Sequence, residues 1–156
     1  MIRHFAHGLE AALVDQSRMT LRGLAADDRR TLDVRVAGVA ALLVAKVHKI
    51  RDRVAEARTA RLRAKDAGDV LRLIRATPVA RMADRLQPLS RDPIAGQVTR
   101  EALSSLGVLF GAPTSRGVAL AVDAVELDLP ADQVEAQLTG YVRELRRRLR
   151  LAGQAR

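Results

Sequence analysis

The chain contains no cysteine and no tryptophan, and its aromatic side chains number three: Phe5, Phe110 and Tyr141. Without cysteine there is no disulfide framework, no thiolate metal site and no cysteine nucleophile. So few aromatics exclude a stacking platform for single-stranded bases, so any nucleic-acid contact would go to the backbone. Histidine is scarce too, and His4, His7 and His48 are too scattered to compose a zinc site. The longest stretch without a charged or polar side chain, Val36 to Ala45, runs ten residues, far short of the roughly 20 needed to cross a bilayer. The basic, then apolar, N-terminus is interrupted by Glu10, which speaks against a cleaved signal and makes a cytoplasmic protein the expectation. There is no glycine-rich phosphate loop, no Gly-x-Ser-x-Gly elbow and no HExxH. None of the serines (Ser17, Ser90, Ser104, Ser105, Ser115) has a histidine nearby in sequence.

What remains is 156 residues, 48% apolar and 29% charged, enough for one domain with a real core. The net charge of +9 favours phosphate-bearing partners. Only three of the 27 basic residues are lysine, Lys46, Lys49 and Lys65, so much of that charge reflects a general richness in arginine. Its placement is uneven. Residues 46 to 75 carry ten basic side chains against four acids, and residues 143 to 156 carry six against one.

The hydrophobic pattern predicts an α+β, mostly helical fold. Gly8 to Val14, Met19 to Leu24 and Thr31 to Ala37 read as an antiparallel strand meander over residues 1–38, with one wet face and a turn at Asp27 to Arg30. Residues 39–156 read as a helical bundle in the same compact unit. Leu43, Val47, Ile50 and Val54 form one apolar stripe, and Lys46, Lys49 and Arg53 stack on a neighbouring face. Arg58 to Arg63 reads as a connection, and a second helix is expected to open at Lys65-Asp66 and to bury Val70, Leu71 and Ile74. Later helices are expected to bury Val79, Met82 and Leu86; then Ile94, Val98, Leu106, Leu109 and Phe110, starting at Pro93; then Val134, Leu138, Tyr141, Val142, Leu145 and Leu149.

Two antiparallel helices would set Lys46, Lys49 and Arg53 against Asp66 and Asp69. A lysine so placed can hold a triphosphate, and an aspartate can join a metal site or pair with the lysine until ligand arrives. The same spacing serves an interhelical salt bridge with a helix cap, and spacing alone leaves both readings open. The arginines from Arg51 to Arg63 suit phosphates or a solvated surface equally. The run Arg146 to Arg150 complements the dipole of a helix end, with RNA or an acidic membrane surface as further readings.

The segment LDVRVAG running into VAALLVAKVHKIRDR, followed after a basic spacer by KDAGDVLRLIRA, resembles the second half of the abortive-infection type of nucleotidyltransferase. These belong to the polymerase-beta-like superfamily and occur in toxin–antitoxin systems. In that family a strand leads into a helix of the form (A/E)xLLxxKLxAL, then an arginine, then a KDxxD helix. By residue type Lys46 matches the family lysine, Arg53 the arginine, and Lys65-Asp66 with Asp69 the second motif. The resemblance covers residues 31 to 76. It implies a nucleotide site with Lys46, Asp66 and Asp69 at its centre, Lys49, Arg53, Arg58 and Lys65 around the substrate, and magnesium with a nucleoside triphosphate as ligand. Family members also carry an upstream Gly-Ser and an Asp-x-Asp pair that hold the metal ions. Neither occurs here. The expectation is a nucleotidyltransferase-related protein whose catalytic front end is missing through truncation, a split gene or degeneration. It would bind nucleotide or RNA and be incomplete alone, and a protein partner could supply the missing part. The alternative reading is a non-enzymatic basic helical module that binds nucleic acid or serves as a toxin–antitoxin partner.

Overall fold

The computed structural model describes residues 8–55, 60–125 and 128–154. Among them a short helix α1 (Ala11–Val14) precedes two strands, β1 (Gln16–Arg22) and β2 (Thr31–Ala37), and six further helices follow. These are α2 (Val39–Ala55), α3 (Ala60–Ala76), α4 (Val79–Leu89), α5 (Gly96–Phe110), α6 (Arg116–Val125) and α7 (Ala131–Gln154). The architecture is therefore α+β and mostly α, with the antiparallel sheet ahead of the bundle.

The meander is smaller than the pattern suggested. Gly8 to Val14 is no strand: Ala11 packs into the core as part of α1, and its run of small residues suits a tight helical turn better than a pleat. Strands β1 and β2 pair antiparallel from Gln16 opposite Ala37 to Arg22 opposite Thr31. This register puts Met19, Leu21, Leu32, Val34 and Val36 on one face and Arg18, Thr20, Arg22, Asp33 and Arg35 on the other. Both faces are wet: on the apolar one Met19 is 50% exposed and Leu32 62%, with Val34 and Val36 half-buried.

Helix α2 begins where Gly38 ends the pairing. Asp15, 26 residues earlier, accepts a hydrogen bond from the Ala41 backbone N–H at 2.9 Å, capping the helix from across the fold. Asp15 is nearly sealed from solvent and also receives Arg85 of α4 at 2.8 Å. A Cβ on residue 38 would fall 2.3 Å from both Asp15 carboxylate oxygens, so any larger residue there would have to displace the Asp15 side chain.

The stripe Leu43, Val47, Ile50 of α2 is buried as the spacing requires, with Val54 partly covered. It packs against α3 and α5, and His48, buried on the same helix, lies with its Nε2 2.8 Å from the Val98 carbonyl of α5. Helix α3 packs closely on α6, where Gly68 lets the chains approach: an added Cβ would stand 2.9 Å from that of Ala124. Val70, Leu71 and Ile74 are buried in this layer. Thr77-Pro78 stops α3, because proline has no N–H to continue it, and the Thr77 carbonyl is met by the Tyr141 hydroxyl of α7 at 2.9 Å. Met82 and Leu86 of α4 and Leu138 and Leu145 of α7 are fully buried where these two helices pack, and Phe110 is the largest of the fully buried side chains. Each such side chain stabilises the bundle by roughly 1.5–3 kcal/mol.

Two boundaries differ from the sequence pattern. Helix α3 opens at Ala60, so Asp66 sits inside it and caps nothing. Helix α5 opens at Gly96, because Asp92 folds the chain into a turn, accepting the Ile94 and Ala95 N–H groups at 2.8 and 3.0 Å. Ile94 is consequently 60% exposed and not in the core.

Candidate functional site

The antiparallel faces of α2 and α3 bring Lys46, Lys49 and Arg53 onto Asp66 and Asp69. The three cations recur at i, i+3, i+7, and the carboxylates at i, i+3, so each set projects as one row. Lys46 Nζ stands between the acids, 2.6 Å from Asp69 Oδ2 and 3.1 Å from Asp66 Oδ1. Lys49 reaches the same Asp66 oxygen at 3.3 Å, and Arg53 pairs with Asp66 Oδ2. Asp69 Oδ1 is held by Arg72 at 2.9 Å.

Burial grades the members. The Asp66 side chain is 2% exposed and Arg53 is mostly covered, whereas Lys49 is 47% and Arg72 63% exposed. A carboxylate taken out of water costs several kcal/mol unless cations meet it, and here three do. Both Asp66 oxygens are occupied by cations, so in this arrangement it orients Lys46 and Arg53. Burial pulls the Lys46 pKa down, but the hydrogen bonds and charges of Asp69 and Asp66 outweigh it, leaving the ammonium above an ordinary lysine. Burial pushes Asp69 the other way, and Lys46 with Arg72 hold it below the usual carboxylate range.

Three cations, Lys46, Lys49 and Arg72, thus face the two carboxylates from the more open side, with Arg53 on Asp66 behind them. Beside them lies a cleft of about 360 Å³ with Leu42, Leu73 and Ala76 as its apolar lining and Lys46, Asp69 and Arg72 at its rim. Lys65 is exposed and lines, with Arg72 and Asp123, a separate cleft of about 290 Å³ on the α6 side. Arg58, His4 and His7 lie outside the described residues. No motif marks Arg72, although its place at i+3 from Asp69 is a usable signal.

The C-terminal arginines are partly neutralised. Arg147 and Arg148 both reach Glu144 at 2.7 Å, and the Arg147 hydrogen bond in particular holds the Glu144 pKa down to about 2. They border a cleft of about 370 Å³ formed with Ala83, Asp84 and Gln87 of α4. Among the described residues no group of three or more histidines and carboxylates could hold a metal ion, and no helix is long and apolar enough to cross a membrane. Comparison with protein-family models, curated proteins and solved structures finds no match.

Proposed function

We propose that the α2–α3 face is a nucleotide phosphate site on a nucleotidyltransferase-related protein that does not complete transfer alone. The observation supporting this is the excess of cations on the solvent side of the cluster: a simple interhelical clasp needs one cation per carboxylate, and Lys46, Lys49 and Arg72 alone are three for Asp66 and Asp69. Lys49 and Arg72, the exposed members, would meet the outer phosphate oxygens, while Lys46 would turn from Asp69 toward the phosphate. The apolar lining of the neighbouring cleft would take the base or ribose. Asp66 would stay with Arg53 and keep the wall in place. Asp66 and Asp69 offer no carboxylate oxygen free of a cation, so magnesium would arrive on the triphosphate. The chemistry of transfer would then depend on carboxylates from elsewhere, such as a protein partner. An RNA acceptor would be met through its backbone by the exposed cations.

Calorimetric titration with nucleoside triphosphates, with and without magnesium, tests the reading. Binding is expected, with affinity falling from triphosphate to monophosphate and lost in Lys46→Ala. No heat at millimolar nucleotide overturns it.

A further inference from the structure

The hairpin offers more than a remnant of a sheet. Among the described residues the sheet has two strands, so each leaves its outer edge without a strand. A two-stranded hairpin is marginal in water, and three or more strands sharing an apolar face are stable. An open edge therefore invites another strand.

The two edges differ in charge. On its polar face β1 carries Arg18 and Arg22 with no acid, so no register of two copies along β1 forms an ion pair. Strand β2 carries Asp33 and Arg35 two residues apart around Val34. Antiparallel pairing of two β2 strands about a two-fold axis at Val34 sets Asp33 of each copy opposite Arg35 of the other. The same register sets Leu32 opposite Val36, and Val34 opposite its own counterpart, on the apolar face. Within one chain Arg35 stands directly opposite Arg18, a like-charged cross-strand pair that an incoming carboxylate would relieve. Asp33 accepts a hydrogen bond from the Thr20 hydroxyl at 2.6 Å and remains exposed.

We infer that β2 is a homodimerisation edge, joining two copies into a continuous four-stranded antiparallel sheet, β1-β2-β2-β1, with a two-fold axis at Val34. The interface is isologous, so each ion pair occurs twice. It is independent of the cation cluster between α2 and α3.

The test is sedimentation equilibrium of the whole chain, wild type and charge variants, over a micromolar to near-millimolar range. The wild type is expected to approach twice the monomer mass. Asp33→Arg and Arg35→Asp should each weaken the dimer at least about tenfold, since like charges then face each other twice. The combined D33R/R35D swap should restore it. Arg35→Asp also replaces the Arg18–Arg35 repulsion with an attraction inside the hairpin, so loss of dimer in that variant cannot come from unfolding the strands. A monomeric wild type overturns the inference, as does a dimer indifferent to Arg35→Asp or a double swap that stays monomeric. A 1:1 complex with a different protein seated on β2, excluding the second copy, overturns it as well.

Discussion

The Lys46 ammonium stands 2.6 Å from Asp69, closer than to the buried Asp66 at 3.1 Å. The lysine is thus shared between an acid sealed in the interior and one still in reach of water. That division separates the cluster into a structural half, Asp66 with Arg53, and an accessible half, Asp69 with Arg72, Lys46 and Lys49.

Asp66→Asn should be the most costly change in the cluster. It leaves three cations facing a neutral amide in a sealed position, and loss of about 3 kcal/mol is expected from breaking a buried pair. Asp69→Asn, at a more exposed position, should cost under about 1 kcal/mol. Urea unfolding of the two variants compares them, and equal losses would refute the division.

The ion pairs impose a pH dependence at the acid end. The folded-state pKa of Asp69 lies below its ordinary value, so its contribution is present at higher pH and lost as pH falls through that depressed value. Unfolding free energy measured between about pH 5 and pH 2 should fall less steeply in Asp69→Asn than in wild type. Parallel curves would show that Asp69 gains nothing from Lys46 and Arg72.

Tyr141 reports on the α3–α4 corner at the alkaline end. Burial pushes its phenol up to about 12 from 10.0, so the folded state prefers the neutral form. Its contribution is complete below pH 10 and disappears as pH rises toward 12. As the chain holds one tyrosine and no tryptophan, absorbance at about 295 nm follows this group alone. An ordinary midpoint in the folded protein would contradict its burial against Thr77.

Gly38→Ala should destabilise the chain by about 2 kcal/mol, because the new methyl would force Asp15 off the α2 N-terminus. Asp15→Ala should cost a similar amount through the lost cap and the orphaned Arg85. The double variant should cost less than the sum, since both act on one contact. Additive losses in thermal unfolding would sink that account.

Helix periodicity made much of this legible. Leu43, Val47 and Ile50 on α2 and Leu138, Val142 and Leu145 on α7 are buried where a 3.6-residue repeat puts them. The Lys46–Asp66–Asp69 meeting was also readable, because both rows keep helical spacing. Other features depended on distant partners. Asp15 directly precedes β1 and nothing near it in sequence signals a cap, because its partners, Ala41 and Arg85, lie 26 and 70 residues away. The alternation in Thr31 to Ala37 suggested one covered face, and alternation cannot tell whether anything exists to cover it. Asp66 has the composition of a helix start, and only the earlier opening of α3 at Ala60 moves it to the interior.

Phosphorus NMR of a magnesium nucleoside triphosphate titrated with the folded chain tests the central claim most directly. The β and γ resonances should shift and broaden with wild type, more weakly with Lys49→Ala, and remain unmoved with a Lys46→Ala variant that unfolds as cooperatively as wild type. Unperturbed β and γ resonances with the wild-type protein, or equal perturbation by Lys46→Ala, would mean that the cluster does no more than join two helices.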